Sequence, residues 1–152
     1  MSRLPGSSDE SQLSFLNSWL NDHIKDAQNI LHKPVLFAEF GKSLKYSGKT
    51  QRDQLYNTVY SAIYSSASGG GAAVGGLFWQ LLAPGMDSFR DGYEVILSED
   101  PSTANMIAQQ SQKLGKIRKM YARLRNIEKW KKAREIKSAQ RSAGSKDNND
   151  GN

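Results

Sequence analysis

Apolar residues recur at three- and four-residue steps from 7 to 31, and this spacing predicts an amphipathic helix. Leu13, Leu16, Leu20, Ile24, Ala27 and Leu31 share one face of it. Ser7 and Glu10 stand at capping-box spacing, the serine accepting from an exposed amide while the glutamate reaches back. Pro34 forbids continuation and pushes Lys33 toward an extended conformation. The run Val-Leu-Phe-Ala-Glu-Phe (35–40), closed by Gly41, then has the length and composition of a strand buried on both faces. After a polar stretch, Thr50 and Asp53 offer a second capping pair, and Leu55, Val59, Ala62 and Ile63 mark a helix ending near Ser66. Three glycines, 69–71, break the chain.

A second apolar run, 72–82, again has a strand's length and is too rich in glycine for a helix. The segment 83–99 reads as a loop. Asp100 and Pro101 supply a cap and a first-turn proline for a last helix carrying Met106, Ile107, Leu114, Ile117, Met120, Tyr121, Leu124 and Ile127. Gly115 is a place where that helix could bend. Buried strands alternating with amphipathic helices imply an α/β fold with parallel pairing through right-handed crossovers. Two strands cannot form a sheet that covers three helices, so part of the fold is missing or another chain supplies it.

Composition narrows the chemistry. With 152 residues, 38 % apolar and 24 % charged, one ordinary domain with a core is possible. The absence of cysteine excludes a disulfide framework and a thiol nucleophile, and two histidines, His23 and His32, argue against a histidine-rich metal centre. Neither a metal nor an organic cofactor is expected. The first twelve residues are polar and unlike a signal peptide, and no run approaches the ~18 apolar residues of a membrane helix. No membrane association is expected, and on its face the chain stays where it is made.

The net charge of +6 is localised. Between Lys113 and Arg141 twelve Lys or Arg face two Glu, so the rest of the chain is net negative by four. One reading of this segment is a basic helical surface for nucleic acid, with Tyr121 and Trp130 available to stack. The other is a helix whose apolar stripe packs inward and whose solvated face is basic; the stripe at 114, 117, 120, 121, 124 and 127 fits this reading well, and no nucleic-acid partner is expected. Residues 140–152 have the composition of a disordered polar tail.

Glu39 carries the most chemical information. An acid at the end of a buried strand costs several kcal/mol if unpaired, on the order of a lost hydrogen bond or more. In parallel α/β architectures the C-terminal ends of strands are where catalytic groups converge. The competing reading is a strand-end carboxylate paired with a nearby cation such as Lys42. For Trp79 the reading from position alone is a core aromatic facing the helices.

Lys-Pro-Val-Leu-Phe-Ala-Glu-Phe-Gly (33–41), Gly-Leu-Phe-Trp-Gln-Leu (76–81) and Gly-Met-Asp-Ser-Phe-Arg-Asp-Gly-Tyr-Glu (85–94) resemble glycoside hydrolase family 5. The closest resemblance is to the plant endo-β-1,4-mannanases. It implies a partial (β/α)8 TIM barrel over 4–139: the last two β/α units, the helix before them and a basic C-terminal helix. It also implies retaining hydrolysis of internal bonds in mannan-type polysaccharides, at an extracellular or cell-wall location. By resemblance Glu39 matches the nucleophile and Trp79 the tryptophan beneath the sugar ring. Asp87, Arg90 and Asp91 match the loop beside them, where they contact sugar hydroxyls or brace the loop; bracing is the favoured reading. The Asn-Glu-Pro motif that delivers the family's acid/base does not occur in these residues. The expectation is therefore a truncated copy that lacks one of its two carboxylates and is inactive alone.

Overall fold

The computed structural model describes residues 8–144. It divides into two units, one up to Leu114 and one from Gly115 onward. The first unit is mixed α/β: helix α1 (Asp9–Asp26), a π-helical turn (Ala27–Leu31), strand β1 (Val35–Phe40), helix α2 (Lys49–Ser68), strand β2 (Ala73–Phe78) and a short 3-10 turn (Asp87–Phe89). Helix α3 (Pro101–Gly144) begins in this unit, and its residues from Gly115 make up the described part of the second.

The predicted elements are present, with their ends corrected. Ser8, not Ser7, caps α1, its hydroxyl accepting from the Ser11 amide at 3.1 Å, while Ser7 lies outside the described residues. Asp9 and Glu10 occupy the first turn, where the helix dipole favours negative charge. The helix closes on His32, which takes a left-handed φ of 51° just before Pro34. Helix α2 starts earlier than Thr50 implied: Gly48 is its cap, and its amide donates to Gln51 Oε1 at 3.0 Å. Helix α3 is helical throughout, Gly115 included, and runs past the expected boundary at residue 140 to Gly144.

β1 and β2 pair in parallel, with Phe37 beside Gly76 and Ala38 beside Leu77. α2 is the crossover between them, and its stripe of Tyr56, Val59, Tyr60 and Ile63 is buried against the sheet and α1. Leu16, Leu20 and Ile24 of α1 join Phe37, Ala62, Ala73 and Val95 in this core, with Met106, Ile107 and Leu114 packed at its margin. Phe40 stands edge-on to Tyr56 and Tyr60 at 5.2 and 5.5 Å between ring centroids. Burial pushes the Tyr60 hydroxyl up to about 12. Gly76 permits this packing: a Cβ there would lie 2.9 Å from both Ile63 and Phe40.

Two sequence expectations about the strands need correction. They are not buried on both faces, because the helices cover one face and leave Leu36, Val74 and Leu77 open. The second strand also stops at Phe78, short of Leu82. Beyond Trp79 the backbone leaves β1 and exchanges hydrogen bonds with the following loop, Val95 N donating to Gln80 O at 2.8 Å and Leu82 N to Val95 O at 3.1 Å. Val95 and Ile96, read as loop, are consequently fully buried.

Candidate functional site

The parallel pairing brings the ends of β1 and β2 together. Glu39 lies between Ala38 and Phe40, where the register with β2 slips, so it is the extra residue of a bulge. Its φ is 59°, in the left-handed region that costs a non-glycine residue about 1–2 kcal/mol. Non-glycine residues in such conformations cluster at functional sites. The bulge turns the side chain out of the strand's alternation, and Glu39 is exposed. Lys42, the cation that could have neutralised it, pairs instead with Asp9 at 2.9 Å. Among the described residues Glu39 has no hydrogen-bond or ion-pair partner.

Trp79 follows β2 directly. Its amide donates to the Phe40 carbonyl at 2.8 Å, which ties it to the strand end that carries Glu39. Gly41 makes the approach possible, since a Cβ there would run into the Trp79 carbonyl. The indole is 46 % exposed and is not part of the buried core. Its Nε1 donates to Asp91 Oδ2 at 3.4 Å. The peptide between Trp79 and Gln80 is cis.

The loop residues brace one another. Arg90 donates to Asp87 at 2.6 Å and to both oxygens of Glu99 at 3.1 Å. Asp91 Oδ1 accepts from the Tyr93 amide at 2.8 Å. Desolvation works upward on the Asp91 carboxyl, but hydrogen bonds from the Tyr93 amide and the Gln80 and Trp79 side chains outweigh it and hold it below the usual range.

The sequence reading missed the anchor of this loop. Glu94 Oε2 accepts from the amides of Asp91 and Gly92 at 3.2 and 2.6 Å. Its carbonyl accepts from Arg52 at 3.1 Å, and Arg52 is fully buried on α2. The guanidinium forms an ion pair with Asp100 at 2.8 Å and donates to Thr103 at 3.1 Å. Asp100 thus spends its carboxylate on Arg52, on Lys49 at 3.0 Å and on the Ile96 amide, rather than on capping α3. Desolvation raises the Asp100 carboxyl, and these partners more than reverse it. A signal was present in the sequence: an arginine four residues before Tyr56, on the apolar stripe of α2, requires a buried acid.

A groove of about 310 Å³ opens between α1 and β1, lined by Trp19, Leu20, Leu36, Phe37 and Glu39 among others. Trp79 does not line it. Glu39 and Trp79 are therefore joined through backbone at the strand ends and do not share this groove.

No protein-family model matches the chain. Curated relatives do. The chain is 63 % identical over 132 residues to mannan endo-1,4-beta-mannosidase 7 of Arabidopsis thaliana, covering 86 % of this chain and 31 % of the relative. It is 56 % identical over 127 residues to mannan endo-1,4-beta-mannosidase 1 of Oryza sativa subsp. japonica, covering 82 % and 29 %. The chain is a homologue of a C-terminal portion of plant mannan endo-1,4-β-mannosidases. Mannan endo-1,4-beta-mannosidase 3 of Arabidopsis thaliana is 45 % identical over 116 residues, 75 % of this chain. The chain spans about 30 % of the length of the first two mannosidase relatives. No described helix of this mannosidase homologue is long and apolar enough to cross a membrane.

Proposed function

We propose that this chain carries the nucleophile half of a retaining endo-β-1,4-mannosidase site, acting on mannan-type polysaccharides outside the cell and built on the last two β/α units of a (β/α)8 barrel. The observation that carries the reading is Glu39: an exposed, unpartnered carboxylate held in a left-handed conformation on a bulge at a parallel strand's C-terminal end. In retaining hydrolysis such a carboxylate attacks the anomeric carbon as the glycosidic C–O bond breaks, forming a covalent glycosyl ester. A second carboxyl, about 5–5.5 Å across the bond, protonates the departing oxygen and then deprotonates the water that releases the sugar. Trp79 offers its ring face to the C–H face of the pyranose, with Asp87, Arg90 and Asp91 bracing the loop at its edge. The reaction requires neither metal nor organic cofactor, only two positioned carboxyls.

Glu39 alone cannot complete this reaction, because a nucleophile without an acid leaves the departing oxygen unprotonated. Residues 1–152 by themselves do not hydrolyse mannan under this reading. The test joins them to the preceding three-quarters of an active plant relative and measures reducing ends released from a soluble mannan, with and without Glu39→Gln. The joined protein is expected to be active and its Glu39→Gln variant inactive. Activity in that variant within about tenfold of its parent, equivalent to about 1.4 kcal/mol in the barrier, would refute the assignment.

A further inference from the structure

We propose that Asp91 is the positioning residue for Trp79, its carboxylate fixing the plane of the indole and itself held in place by the Glu94–Arg52–Asp100 chain. The proposal rests on the reading of Trp79 as a sugar platform and deepens it.

Trp79 has its backbone pinned to Phe40, but its half-exposed ring needs a separate restraint. No aromatic ring is stacked on it among the described residues, and it lies outside the buried core. A side chain in that setting changes rotamer on the picosecond to nanosecond scale unless something directional holds it. The directional contact is Nε1 to Asp91 Oδ2. At 3.4 Å this bond is long, so its strength comes from the charge on the acceptor and from that acceptor's own rigidity.

The rigidity is built in three steps. Asp91 Oδ1 accepts from the Tyr93 amide, which sets the carboxylate plane and leaves Oδ2 facing the indole. Glu94 then clamps the Asp91 and Gly92 amides from the other side. Gly92 takes a φ of 99° there, with Ser43 and Lys45 so close that a side chain would collide with them. Finally the Glu94 carbonyl is fixed by Arg52, whose guanidinium is locked by Asp100 and Thr103. A loop that needed only a turn would use Oδ1; the rest of the carboxylate is taken up by the Gln80 side chain and the indole.

A pre-set ring spares the sugar the entropy of ordering it, which corresponds to roughly threefold to tenfold in affinity. The direct test needs no sugar. Trp19→Phe and Trp130→Phe in the 152-residue chain leave Trp79 as sole tryptophan. Its fluorescence anisotropy decay and near-UV circular dichroism are recorded with Asp91, Asp91→Asn and Asp91→Ala. The asparagine variant keeps the oxygen that accepts from the Tyr93 amide but turns a donor toward the indole, so it is expected to free the ring while keeping the turn, and the alanine variant should lose at least half of the near-UV signal. A ring as immobile as the parent's in Asp91→Asn or in Asp91→Ala overturns the proposal. Replacing Trp79 with 1-methyltryptophan removes the donor, adds one methyl group in its place and leaves Asp91 itself unchanged, so it tests the bond even if Asp91→Ala misfolds. Parent-like immobility of the methylated ring would also overturn it. Quenching of Trp79 by mannohexaose is measured separately. Its absence in the parent would defeat the platform reading while leaving the Asp91 result interpretable.

Discussion

Replacing Arg52 with methionine should destabilise the chain more than any exposed charge deletion. The side chain has no solvent-accessible surface, and its partner Asp100 is 7 % exposed. Breaking a buried pair by removing one partner costs about 3–5 kcal/mol, because the remaining charge stays buried. Two features here pull toward the lower end. Asp100 keeps Lys49 at 3.0 Å and the Ile96 amide at 3.1 Å. Methionine also removes a buried Arg52 Nε that has no acceptor. The Glu94 carbonyl meanwhile loses its donor, worth about 1 kcal/mol. The net expectation is about 3 kcal/mol, or on the order of 12–24 °C in melting temperature for a unit of about a hundred residues. Urea titration followed by far-UV circular dichroism measures it on the 152-residue chain. Adding Asp100→Leu should recover most of the loss, since an apolar pair of similar volume is often no worse than a buried ion pair. A single variant within about 1 kcal/mol of the parent, or a double variant no better than the single, would refute the buried-charge reasoning.

Glu39→Gly should raise stability by about 1 kcal/mol by relieving the left-handed strain, partly offset by glycine's entropy; an unchanged or lower urea midpoint would count against that strain. Trp79→Ala in the protein joined to a relative's preceding segment should remove most turnover and shift the melting temperature only slightly, and the reverse pattern would mark a packing residue. The folded Asp100 carboxyl lies below its unfolded value of about 3.9, so its contribution is complete above about pH 4 and is lost as pH falls through the folded value. Urea midpoints taken between about pH 5 and pH 2 should fall less steeply in Asp100→Asn than in the parent.

The helices were legible because their apolar residues repeat. Leu16, Leu20 and Ile24 were read from spacing and are buried, as are Val59, Ala62 and Ile63. Their caps were less legible. Ser7 and Ser8 are adjacent and chemically equivalent, so residue type does not single out Ser8, whose hydroxyl accepts from the Ser11 amide. Gly48 caps with its backbone alone, which residue type does not announce. The position of Glu39 at a strand end could be read from Phe-Ala-Glu-Phe-Gly, but not its bulge, because a left-handed glutamate has no compositional sign. Val95 and Ile96 escaped because two apolar residues in a loop have no period. The Arg52–Asp100 pair spans 48 positions of sequence, and such pairing is set by tertiary packing.

The closeness of Gly41 to the Trp79 carbonyl makes the missing Cβ a gauge block between the two strand ends. Glu39 and Trp79 each sit within two residues of that contact, so a methyl group inserted there would wedge carboxylate and indole apart together. Tolerance to change around the site is therefore directional. Asp87 and Arg90 can be exchanged together as the pair they form, whereas position 41 sets a spacing that no compensating substitution at 39 or 79 restores. A library aimed at altered sugar preference should randomise 87 and 90 and hold 41 and 91 fixed.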